Sequence, residues 1–301
     1  MAASTLADTR HGIPSQRPPC GTPDWENSAM TTTGFPNLAT AAYLRQLRDE
    51  GDRLAAAAAA ADLDQAVPAC PDWTIRDLLR HVGYVHRWAT RYVSEQQTQL
   101  MPRLDEAAIL GQDIPDDALL DWFRAGHAAL VQALEAAGPG LACWTFLPGA
   151  VSPLAFWARR QAHETTVHRV DVQLAAAAAA PGRGVDPVPA DLAADGIDEL
   201  LLGFARRNAR RGPLSDPPRG LFVQADGYQW VARMSPEQAE VERGWPGPAA
   251  GPADCTVTGP AAEVYLLLWN RRDPGDLPVL RLTGDPGVLG QWRRGVRVTW
   301  R

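Results

Sequence analysis

Apolar positions recur at helical spacing in four long stretches of this 301-residue chain, then give way to short alternating runs. From about Leu38 to Asp62, Leu44, Leu47 and Leu54 stand among strong helix formers, and the alanine tract from Ala55 to Ala61 continues the helix. A second stripe is made by Ile75, Leu78, Leu79, Val82, Val85, Ala89 and Val93. Thr74 and Asp77 stand just before it at capping-box spacing, so that each side chain can satisfy the other residue's backbone N–H. A third stripe begins near Pro115, carries Leu119, Leu120, Phe123, Leu130, Val131 and Leu134, and stops before Gly138. A fourth begins near Pro153 and continues through a second alanine tract, Ala175 to Ala180, which reads as helix and not as linker because alanine is the best helix former. Four such helices joined by loops predict an up-and-down bundle.

"PGRGVDPVP" (181–189) interrupts this pattern, and "ADLAADGIDELLLGFARRNARR" (190–211) reads as a bridging helix with a solvated basic end. From Pro217 onward the chain offers "GLFVQAD", "YQWVARM", "DCTVTG" and "VLRLTG", strand-like in length and alternation, with the helix "AAEVYLLLWNRR" among them. The expected class is therefore mainly α and α+β overall, a four-helix bundle followed by a smaller α+β domain. The expected organisation is a disordered tail at 1–35, the bundle at 36–182, a linker and bridging helix at 183–216, and the α+β domain at 217–301. The tail is rich in Pro, Thr, Ser and Gly and holds no apolar run of the kind a signal peptide or membrane anchor needs. A cytoplasmic protein is expected, with Met30 as a candidate natural start.

A formal charge of −6 and a pI near 5.5 give no field that would draw in nucleic acid or an anionic membrane. Small-molecule partners and a monomeric state are expected. Cys20, Cys70, Cys143 and Cys255 lie far apart without a C-x-x-C pair, which argues against a thiolate zinc site or a dithiol redox pair. Cys70, with no base visible beside it, reads as structural.

The chemistry concentrates in "RRQAHETTVHRVD" (159–171), which nearly spells the zinc-protease signature H-E-x-x-H. His163 and His168 are five apart, about 140° around a helix, so one helix cannot aim both at a single ion. Glu164 and His168 are four apart, and carboxylate plus imidazole is a sound half-site for a divalent metal. They share a polar face with Trp157, Gln161, Asp171 and Ala175 that either lines a bundle pocket or meets solvent. A third ligand must come from another helix. His81 and His86 on the second and His127 on the third are all available, and spacing alone does not choose between them.

"VPACPDWTIRDLLRHVGYVHRWA" and "FWARRQAHETTVHRVDVQLA" together resemble the mycothiol-dependent maleylpyruvate isomerase family, a likeness running from about residue 38 to 301 and strongest in these two segments. The resemblance implies a DinB-like bundle with a C-terminal α+β domain, and a divalent metal, zinc by donor type, held by His81, Glu164 and His168. Three protein ligands leave an open position, as in catalytic zinc sites. By resemblance its occupant is the thiol of mycothiol, a cosubstrate of actinobacteria, which suits the Ala-, Arg- and Trp-rich composition. The implied activity is thiol transfer or cis–trans isomerisation of a small electrophilic, carboxylate-bearing substrate. Arg271 and Arg272 in "LLLWNRR" are then candidates for holding that carboxylate, against the plainer reading of basic residues at a helix C-terminus. Asp171 is a candidate support for a ligand imidazole, and His86 a candidate aid to proton transfer. Two alternatives stand beside this reading: a zinc hydrolase with Asp171 as base, and a noncatalytic small-ligand-binding protein.

Overall fold

The computed structural model describes residues 35, 38–101, 107–180, 182, 184–205, 215–244, 253–296 and 298. The expectations for the N-terminal tail before Phe35 and for the basic end of the bridging helix lie outside these residues.

Helix α1 (Thr40–Ala59) is followed by α2 (Ile75–Ser94), which starts on the anticipated capping box. Asp77 Oδ2 accepts from the Thr74 backbone N–H at 2.9 Å, and Thr74 Oγ1 accepts from the Asp77 N–H at 3.3 Å. All seven apolar positions of the predicted second stripe are buried. A single turn, α3 (Ala107–Leu110), precedes α4 (Asp116–Ala136), and α5 spans Pro153–Ala179. Ser152 caps α5 by accepting from the Ala155 N–H at 3.1 Å, and Pro153 occupies the first turn, where a missing N–H costs nothing.

In the bundle α1 packs against α5 and α4, and α2 against α4 and α5, so the ring runs α1–α5–α2–α4. The consecutive helices α1 and α2 therefore face each other across a diagonal. Residues 60–74 make that crossing and carry Cys70 and Trp73 over one end of the bundle. Leu47, Leu54, Leu78, Leu79, Phe123, Leu130 and Trp157 fill the interior without measurable exposure.

After the bundle, α6 (Ala190–Asp198) runs on as a π-helical turn, Glu199–Phe204. The sheet comprises β1 (Arg219–Ala225), β2 (Tyr228–Met234), β3 (Ala239–Arg243), β4 (Cys255–Gly259) and β5 (Arg281–Gly284), in the order β3-β2-β1-β4-β5. Every pairing is antiparallel except β1 with β4, whose register sets Leu221 beside Cys255 and Val223 beside Val257. Helix α7 (Ala261–Leu268) joins β4 to β5, and α8 (Pro286–Gly295) follows β5. Besides the single turn α3, two elements escape the sequence pattern. In β3 the alternation of Ala239 and Val241 is masked by Glu240, Glu242 and Arg243. In α8 a proline and three glycines hide an apolar face of Val288, Leu289 and Trp292.

Gly34–Arg301 forms one compact unit, and α5 runs through its middle. Nearly every residue of α5 from Phe156 to Val172 is buried, because the elements after the bundle cover the side that the other bundle helices leave open. Arg159 Nε donates to Asp195 Oδ2 of α6 at 2.8 Å, and His163 Nε2 lies 2.7 Å from the same oxygen. The polar face of α5 thus meets protein and not solvent: Glu164, His168 and Asp171 are 3%, 5% and 0% exposed. Among the described residues, no helix is long and apolar enough to cross a membrane.

Candidate metal centre

Steps of four and three along α5 set Glu164, His168 and Asp171 in one row, and the neighbouring α2 presents His81 to that row. Glu164 Oε1 lies 3.2 Å from His81 Nε2 and 3.3 Å from His168 Nε2. An ion bound tetrahedrally at 2.0–2.1 Å separates its ligand atoms by about 3.3 Å, so these two edges already have the spacing of a zinc-type site. The two imidazoles meet edge to face, 5.1 Å between centroids. All three donor atoms lie within 4.8 Å of one another.

Asp171 orients this set. Its Oδ2 is 2.9 Å from His168 Nδ1, which leaves Nε2 as the ring nitrogen that faces Glu164. Arg271, just past the C-terminus of α7, clamps the same carboxylate: Nε donates to Oδ1 at 3.0 Å and Nη2 to Oδ2 at 2.9 Å. Burial by itself would raise the Asp171 pKa, but the Arg271 charge and the His168 hydrogen bond outweigh it and bring the carboxyl down to about 2. For Glu164, burial is likewise outweighed by its hydrogen bonds to His168 and His81 and by the Arg160 charge, and the carboxyl stays well below the usual range. Burial lowers the His81 pKa, against the opposing pull of its hydrogen bond to Glu164. His168 is also opposed by burial, yet its hydrogen bonds to Asp171 and Glu164 carry it above the ordinary value.

Of the three histidines that spacing left open, only His81 joins this set. His86 is enclosed, with Nε2 2.9 Å from Thr165 Oγ1 and its ring against those of Phe123 and His127. It lines neither cavity at the site, so the structure does not bring it to where proton transfer was expected. His127 Nε2 donates to the Leu47 carbonyl at 2.9 Å. The two neighbouring arginines also part company. Arg271 borders the cavity, while Arg272 does not and its carbonyl accepts from Arg293 Nη2 at 3.0 Å.

Sequence reasoning missed two participants, Trp73 and Arg160, and weighed a third, Cys70, without placing it at the site. The α1–α2 loop brings the Cys70 thiol to 3.8 Å from Asp171 Oδ2, and burial together with that carboxylate pushes it up to about 12. Cys70, His168 and Asp171 also group closely enough to suggest a second cation position, but Arg271 already neutralises Asp171 and would repel an ion there. Trp73 from the same loop packs on His81 at 4.9 Å between centroids. Arg160, one turn before Glu164, donates to Glu164 Oε2 at 2.8 Å. The length of the α1–α2 loop was the one available hint, since a long crossing must lie over something.

A cavity of about 410 Å³ is lined by Cys70, Trp73, His81, Glu164, His168 and Arg271, among others. A second, of about 740 Å³, shares Asp72, Trp73 and His81 with it and extends past Tyr84, Trp88 and Met101. The donor set therefore opens to two chambers that meet at His81.

Fold and site together define a class: helical-bundle proteins that present a His2Glu donor set between bundle helices and close it with an arginine from an attached α+β domain. Residues 44–173 match the family model for the mycothiol maleylpyruvate isomerase N-terminal domain, and residues 191–291 match that for the MDMPI C-terminal domain. The chain belongs to the mycothiol-dependent maleylpyruvate isomerase family. Among solved structures it is similar to the crystal structure of the mycothiol-dependent maleylpyruvate isomerase, with a TM-score of 0.56 and 14% identity over 84% of this chain and 96% of that one. A histidine-to-alanine mutant of that enzyme gives a TM-score of 0.54 and 15% identity, covering 80% and 93%. No curated protein matches the chain.

Proposed function

We propose that this protein uses mycothiol as cosubstrate to attack the activated double bond of a small carboxylate-bearing electrophile, in a cis–trans isomerisation of the maleylpyruvate type. The observation that carries the reading is the spacing of 3.2 and 3.3 Å by which Glu164 Oε1 already stands as a shared vertex to His81 and His168. The donor chemistry fits a divalent ion, with zinc favoured by two imidazoles and one carboxylate. Held by His81, Glu164 and His168, such an ion would stabilise an incoming thiol as thiolate at neutral pH.

The remaining work falls to the chain itself. Asp171 keeps the His168 Nδ1 proton in place, so Nε2 stays directed into the cavity. Arg271 has five N–H groups, three of them given to Asp171 and the Trp269 carbonyl, and two are left at the cavity wall for a substrate carboxylate. Trp73 covers one side of His81 and limits water there. Addition of the thiolate turns the double bond into a single bond, rotation follows, and departure of the same sulfur gives the trans isomer with the thiol regenerated.

A second reading, S-transfer in which the adduct is the product, uses the same donor set and the same thiol, and the 740 Å³ chamber beside His81 has room for that cosubstrate in either reaction. The hydrolase alternative is weakened because Asp171, its only carboxylate base on that face, is committed to His168 and Arg271.

The test is turnover of maleylpyruvate, and of larger activated alkenes, with and without mycothiol and with and without chelator. Turnover that needs both thiol and metal is expected. Turnover indifferent to the thiol would overturn the proposal.

A further inference from the structure

Glu164 has two oxygens, and the structure gives them different partners. Oε1 faces His81 and His168, while Oε2 accepts from Arg160 Nη2 at 2.8 Å. We propose that Arg160 is a positioning residue that reserves Oε2, so that Glu164 offers a metal ion one oxygen only and the ion keeps a place for the incoming thiol. This inference rests on the metal-centre reading above and deepens it.

The guanidinium is built in. Arg160 is 1% exposed, and its other arm, Nη1, is bonded to Glu199 Oε2. The rings of Phe204 and Trp269 stand 5.2 and 5.5 Å from its central carbon. Glu199 and Phe204 are the first and last residues of the π-helical turn that follows α6, so the clamp and its aromatic wall come from one short segment. π-Helical turns are uncommon and concentrate at functional sites, and here the turn also sets Leu200 into the cavity wall beside the donor set. A guanidinium held between two carboxylates and two rings has one available orientation.

Two consequences follow from elementary electrostatics. With Oε2 neutralised by Arg160, Glu164 is a weaker donor, and an ion held by it retains more Lewis acidity toward sulfur. With Oε2 released, a carboxylate binds divalent ions readily through both oxygens, which adds a protein ligand at the position the thiol needs. Groups that act on a ligand in this way commonly change affinity or activity by about 10- to 100-fold.

The experiment is cobalt substitution of the full chain, because the visible absorption of Co2+ is intense in four-coordinate sites and several-fold weaker in five-coordinate ones. Arg160→Gln is expected to bind one equivalent of Co2+ with a several-fold weaker visible band, and its thiol-dependent turnover is expected to fall by about tenfold or more. Arg160→Lys, which retains a donor for Oε2, is expected to keep the intense band. Because Arg160→Gln strands two buried carboxylates, the paired variant Arg160→Gln with Glu199→Gln preserves the local charge balance and carries the same expectation. An unchanged cobalt spectrum in the Gln variants would overturn the inference, as would loss of folding in every Arg160 variant including Lys. Failure of the parent protein to take up one equivalent of Co2+ would instead remove the metal centre itself, and the two failures are told apart before any variant is made.

Discussion

Arg271 closes a two-bond ion pair on Asp171 that joins the end of α7 to the middle of α5, and the same Asp171 oxygen orients His168. A residue of the C-terminal half thereby sets the direction of an imidazole in the bundle. Both partners are withdrawn from water, with side-chain exposures of 12% and 0%. Removing one member of such a pair leaves the other buried and unbalanced, which is costlier than never having had the pair. Asp171→Ala is therefore expected to lower unfolding free energy by about 3–5 kcal/mol in urea titration. Metal affinity should weaken by about 10- to 100-fold at the same time, because His168 loses its orienting partner.

The histidines sort by position and not by sequence spacing. His81→Ala and His168→Ala are expected to abolish stoichiometric metal in elemental analysis. His86→Ala and His127→Ala should retain it, since those rings are engaged with Thr165 and the Leu47 carbonyl. The latter two variants should lose about 1–3 kcal/mol of stability by leaving buried polar groups unpaired. Retained metal in the first pair would remove the site.

Cys70 faces the cavity yet is a poor nucleophile by its surroundings, with burial and Asp171 pushing the thiol up to about 12. Relative to an ordinary thiol near 8.5, the thiolate fraction at neutral pH falls roughly a thousandfold. In chelator-treated protein, peptide-resolved iodoacetamide labelling should find Cys70 at least about a hundredfold slower than in urea-unfolded chain. Asp171→Ala should raise that reactivity only in part, because burial, the larger cause, stays in place.

Asp195 ties α6 to α5 through Arg159 and His163. Burial by itself raises its pKa, but the His163 hydrogen bond and the Arg159 charge prevail, and the folded-state value lies below the ordinary one. A carboxylate with a depressed folded pKa contributes stability that is full above its unfolded value of about 3.9 and is lost as pH falls through the folded value. Stability should thus decline below about pH 4, and Asp195→Asn should show a shallower decline, measured as urea midpoints between pH 2 and 6.

What could be read from the chain alone was whatever depends on neighbours in sequence. The four helical stripes, the Thr74–Asp77 box, the start near Pro153 and the Glu164–His168 pair are all short-range features, governed by a rise and a turn that repeat every few residues. The β3 strand and α8 were hidden because charges and glycines dilute the period on which such reading rests. Where spacing left His81, His86 and His127 open and the family resemblance pointed to His81, tertiary structure decided which of them meets Glu164, since each lies on a helix whose rotation is set by packing around the whole ring. It also decided that the polar face of α5 is enclosed, that the α1–α2 loop delivers Cys70 and Trp73 to the site, and that Arg160 divides the two oxygens of Glu164. Those contacts join residues as many as 101 positions apart, and no local period carries information about them.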